Sequence, residues 1–121
     1  MSVKKYDIEI PKLDSQIISM SILDKDKQPT QLGEDDLLFM TVRLSPDSEK
    51  FVFQKKLGKG ITYNSETQKY DIEINSNDTK DMLYNTDYGY DITIYYDSNK
   101  PKQKVVGVFK ISNKYTLNEV S

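Results

Sequence analysis

Carboxylates are the side chains best supplied for chemistry in this sequence. Thirteen Asp and six Glu are spread over 121 residues, with Asp24 and Asp26 followed closely by Glu34-Asp35-Asp36. Oxygen donors at that density suit Ca²⁺, which takes about six to eight of them. The spacing lacks the D-x-D-x-D-G loop, and Lys25 and Lys27 interleave, so a solvated acidic loop is the plainer reading. A glycoside hydrolase needs two carboxylates facing across a cleft, and no spacing here singles out a pair. Histidine and cysteine are both absent. That removes Ser-His and Cys-His nucleophiles, the usual general base near neutral pH, and any disulfide or thiolate metal cluster. The expectation is a protein that is not an enzyme and carries no cofactor or metal.

Gly58-Lys59-Gly60 invites a phosphate-cradle reading. It has neither the G-x-x-x-x-G-K-[ST] pattern nor a helix after it, so a tight turn requiring positive φ is expected instead. Lys50, Lys55, Lys56 and Lys59 read as the charges of an edge strand, where lysine discourages edge-to-edge pairing. Nucleic acid is an unsuitable partner. Sixteen of the 17 basic residues are Lys and only Arg43 is Arg, whereas arginine is the preferred reader of bases and phosphates. The net charge of -2 supplies no basic field. No run of about 18 apolar residues is present, so no membrane span is expected.

Tyrosine is the remaining candidate. Tyr63, Tyr84 and Tyr95 form the expected contact surface, because tyrosine brings apolar area to an interface at low entropic cost. Tyr88, Tyr90 and Tyr96 share one strand face with Ile92 and Ile94, so they belong in a core. Tyr95 falls on the other face with Asp91 and Thr93.

The elements that carry these side chains are strands. Alanine, the best helix former, does not occur, while 11 Ile and nine Tyr favour a pleated surface. Period-two alternation marks strands over 3–10, 16–23 and 38–44, then near Phe51–Phe53, Ile61–Tyr63 and Tyr70–Ile74. The longest regular run is Tyr88–Tyr96, and another strand lies near 105–111. Pro11 stops the first strand, and residues 24–34 read as a loop. Asn64-Ser65-Glu66-Thr67 reads as a hairpin turn and Asp97–Pro101 as another turn. One helical turn is expected near 76–83, capped by Ser76 or Asn77, with Met82 and Leu83 facing inward. The expected fold is all-β, an immunoglobulin-like two-sheet sandwich of seven to eight strands. A single domain spans 1–121, with 1–14 an N-terminal strand or arm and 113–121 a frayed tail.

Tyr6-Asp7-Ile8-Glu9-Ile10 recurs as Tyr70-Asp71-Ile72-Glu73-Ile74, and in part as Tyr90-Asp91-Ile92-Thr93-Ile94. The unequal gaps define no repeat unit. These are three half-buried strands built from one small alphabet.

Residues 35–112 carry a resemblance. The order runs from Asp36-Leu37-Leu38-Phe39 through Phe51-Val52-Phe53-Gln54-Lys55-Lys56 to Gly58-Lys59-Gly60-Ile61. It continues with Tyr70-Asp71-Ile72-Glu73-Ile74, Asp78-Thr79, Leu83-Tyr84 and Tyr88-Gly89-Tyr90-Asp91-Ile92. This resembles the small immunoglobulin-like β-sandwich proteins encoded among tail and baseplate genes of phages and prophages of low-GC Gram-positive bacteria. Asn85 stands where a glycine often follows the tyrosine in that family. The family carries no catalytic residues. The resemblance implies a structural or adaptor module of the virion, assembled in the host cytoplasm, whose partners are other tail or baseplate proteins or further copies of itself. The alternative expectation is a module that binds cell-wall or surface carbohydrate, stacking sugars on Tyr63, Tyr84 and Tyr95.

Overall fold

A computed structural model describes residues 2–11, 15–24, 26–45, 47–96 and 100–112. The strands are β1 (Ser2–Lys5), β2 (Ile8–Pro11), β3 (Ser15–Met20), β4 (Leu37–Arg43) and β5 (Phe51–Leu57). They continue with β6 (Gly60–Asn64), β7 (Lys69–Asn75), β8 (Tyr88–Tyr96) and β9 (Lys100–Ser112), with one short helix, α1 (Ser76–Thr79). The protein is all-β, and the nine strands among the described residues form one mixed sheet. The order is β1-β9-β8-β4-β5-β6-β7-β3, with β2 also on β9. Counting β1 and β2 as one interrupted strand gives eight.

Alternation explains why one sheet encloses a core. Leu38, Met40 and Val42 of β4 are buried, as are Tyr88, Tyr90, Ile92 and Ile94 of β8. Ile61, Tyr70, Ile72 and Ile74 come from β6 and β7, and Phe53 meets Phe109 edge-on at 6.0 Å. All join one cluster, because successive side chains in a strand point to opposite faces. Each fully buried side chain of this size stabilises the fold by about 1.5–3 kcal/mol.

Gly58 and Gly60 make the bend in this sheet. Their φ angles are 92° and 97°, a region that glycine enters without steric cost. The β5–β6 link is parallel and only two residue pairs long, Lys56 with Gly60 and Leu57 with Ile61. β5 pairs with β6 only at Lys56 and Leu57, so the edge reading of its lysines is corrected at Lys55 by where its side chain goes. Lys55 packs inward in register with Met40 and reaches Asp78 at 2.7 Å, both side chains largely covered.

α1 is capped by Asn75, one residue before the expected caps, through a reciprocal bond with Asp78. Met82 is buried as expected, while Leu83 is exposed. The N-terminal strand is broken at Tyr6-Asp7. There the Asp7 carboxylate, not a main-chain oxygen, accepts from Val108 N at 2.9 Å. The tail 113–121 and residues 97–99 of the expected turn lie outside the described residues.

Candidate functional site

The two ends of the sheet's strand order are β3 and the β1–β2 strand. Their facing edges border a groove of ≈ 720 Å³. Three residues, 12–14, link Pro11 to Ser15, so the edges stand at most about 14 Å apart at that end. One extra strand between two others needs about 10 Å, so at that end the gap holds no more than one strand.

The floor of the groove is apolar and comes from the two long strands. Tyr90, Ile92 and Ile94 of β8 and Val105 of β9 supply it, with Ile8, Ile18 and Ile22 along the walls. Of the described lining residues, Lys5, Lys27 and Lys104 stand at the rim, and Asp24 is the one acid among them. Asp24 is engaged by its own turn, accepting from Asp26 N at 2.8 Å and Gln28 N at 3.0 Å. Among the described residues, no ion pair includes any of the three lysines. These described lining side chains are therefore net positive over an apolar floor, while Asp7 and Glu9 lie along the adjoining β1–β2 edge.

The two edges differ in chemistry. The β1–β2 edge carries Lys4, Lys5, Asp7, Glu9 and Pro11, and it is broken in the middle. Charge, proline and irregularity are the usual protections against unwanted strand pairing. β3 reads Ser-Gln-Ile-Ile-Ser-Met, with no charge, proline or glycine. It pairs with β7 on one side, where all six of its residues are in antiparallel register. Ile17 is 63% exposed on its outer face.

Tyr90 ties the groove to the N-terminal strand. Its hydroxyl donates to the main-chain oxygen of Tyr6. Burial, then Asp7 and Tyr6, push the Tyr90 phenol up to about 12. A second tyrosine group forms where β6, β7 and β8 meet the loop before β4. Tyr70 accepts from Leu32 N at 2.7 Å, and Tyr63 lies over it at 4.9 Å between ring centres. Burial raises Tyr70 above the ordinary tyrosine range, with Tyr63, Asp36 and Tyr96 adding and the Leu32 bond opposing.

The three expected contact tyrosines do not form one surface. Tyr63 is half-buried against Tyr70 and packs on the core. Tyr95 lies on the outer face, edge-on to Phe39 at 5.9 Å. Tyr84 is 45% exposed beside Ile111. Tyr95 is in register with Pro101, so ten steps of β9, roughly 33 Å of extended strand, separate its position from that of Tyr84. The acidic loop uses its carboxylates locally: Asp36 accepts from Gly33 N at 2.7 Å. Among the described residues no three acidic side chains gather as a metal site.

Sequence reasoning missed the groove. The parallel pairing of β1 and β2 with β9 joins segments about 100 residues apart, and alternation within a strand says nothing about its neighbours. The one available signal was the contrast between an uncharged Ser15–Met20 and a charged Lys4–Pro11. Asp91 was also missed as a covered group. It lies on the outer face yet is only 7% exposed, bound by Arg43 Nε at 2.9 Å and Thr93 Oγ1 at 3.2 Å. No family model matches the chain, and no curated protein matches it either.

Proposed function

We propose that this chain is a non-catalytic structural or adaptor module that works by protein–protein contact, in the tail or baseplate of a phage or prophage particle. The observation that carries the attachment role is the seam. An uncharged strand edge stands beside an apolar groove, and main-chain pairing along such an edge is a general mode of protein recognition. The tail or baseplate setting, and with it the virion as location, rests on the resemblance in residues 35–112.

The immunoglobulin-like sandwich belongs to the same proposal. Its support is the two-pair β5–β6 link at Gly58–Gly60, which divides the sheet into a β9-β8-β4-β5 layer and a β6-β7-β3 layer. Corners at which a strand passes from one layer to the other are a recurring feature of packed sheets.

Co-expression of the tagged chain with the proteins encoded beside it tests the function. The expected result is retention of a tail or baseplate protein at micromolar concentration. Retention of no such protein overturns the proposal.

A further inference from the structure

We infer that the groove beside β3 accepts an extended segment of a partner protein in which apolar and acidic residues alternate. The inference rests on the attachment role above and names the chemistry of what attaches.

Three observations converge on that chemistry. β3 presents its unpaired edge along the groove, and what satisfies a row of main-chain N–H and C=O groups is another extended chain. Ile18 and Met20 pack on the core from β3. A strand added alongside would direct alternate side chains onto the same apolar floor of Tyr90, Ile92, Ile94 and Val105, so those side chains must be apolar. The remaining side chains would point outward past Lys5, Lys27 and Lys104, which favours carboxylates.

The occupied side of β3 already shows this match. Its partner there is Tyr70-Asp71-Ile72-Glu73-Ile74 of β7. Tyr70, Ile72 and Ile74 are buried, while the Ser19 hydroxyl donates to Asp71 at 2.7 Å on the outer side. A guest of the same pattern would flank β3 on its other side. At the Pro11–Ser15 end, the span of at most about 14 Å leaves room for no more than one extended segment between the two edges.

The test uses the full chain and a fluorescein-labelled peptide with the sequence of residues 69–75. The control peptide carries Lys in place of both acids. Saturable binding by anisotropy is expected, with the control about tenfold weaker. The full chain with Lys27→Glu and Lys104→Glu should reverse that preference, since both sites are at the rim and the substitutions leave the core untouched. Methyl resonances of Ile18, Ile22, Ile92 and Val105 should shift on binding.

Equal binding of both peptides, no saturation by ~1 mM, or methyl shifts confined to other residues would each overturn the inference. So would light scattering that shows the groove closed by a second copy of the chain. A chain that retains a tail protein but ignores the peptide keeps its attachment role and loses this groove. A chain that takes the peptide but joins no assembly keeps the groove and loses the tail setting.

Discussion

Across 84 positions of sequence, the Tyr90 hydroxyl donates to the main-chain oxygen of Tyr6. The bond sits at the break between β1 and β2, opposite Gly107 of β9, which is in register with Tyr90. Tyr90 also forms part of the groove floor. One phenol therefore joins the N-terminal strand to the proposed contact surface. Replacing it with phenylalanine removes one net hydrogen bond, about 1 kcal/mol. Urea unfolding of Tyr90→Phe should show that loss, with β8 otherwise unchanged.

The same phenol sets an alkaline limit. Its value of about 12 lies above the unfolded value of 10, so above pH 10 the unfolded chain loses a proton that the folded chain keeps. Stability is intact below pH 10 and falls as pH rises from 10 towards 12. Tyr70 and Tyr96 are raised by burial as well and act with the same sign. The urea midpoint should drop across that window, and Tyr90→Phe should flatten the drop.

Gly107 is required by close approach. A Cβ there would run into the Tyr6 carbonyl oxygen, which is main chain and cannot rotate away. Gly107→Ala should cost about 1–3 kcal/mol, as overpacking does. Amide exchange should rise first in Lys5–Ile10, ahead of β4 and β8.

Lys55 and Asp78 should respond unequally to removal. Asp78 accepts from Asn75 N at 2.9 Å and from Lys55 at 2.7 Å. Asp78→Ala loses the reciprocal half of the capping box and leaves a largely covered ammonium without its partner, a combined cost of about 2–3 kcal/mol. Lys55→Met keeps the stem's packing beside Phe53 and should cost under about 1 kcal/mol. Chemical denaturation of the two variants checks the order.

Strands were legible wherever apolar and polar residue types alternate. Tyr88–Tyr96 alternates without a break, and its expected bounds coincide with β8. The Gly58–Gly60 turn was legible because two glycines so close together point to positive φ. Lys55 was not legible, because its inward position depends on Asp78, a residue on a different element. The N-terminal break was hidden too. Tyr6-Asp7-Ile8 alternates as well as Tyr70-Asp71-Ile72, yet it is interrupted where Asp7 takes the Val108 amide. The groove belongs to neither strand alone, since it exists only where β3 and β1–β2 come to face each other. The positions of Tyr63, Tyr84 and Tyr95 likewise depend on strand order, which composition does not encode.

The proposed attachment through the β3 groove can be tested in the proposed tail or baseplate assembly. The sequence has no cysteine, so Ser21→Cys places a single photoreactive maleimide at the groove. Glu49→Cys places another on the β4–β5 turn as a control. After irradiation of particles containing the labelled chain, a cross-link to a second particle protein should form from position 21 and not from 49. Equal cross-linking from both positions, or none from 21, would contradict the groove as the point of attachment.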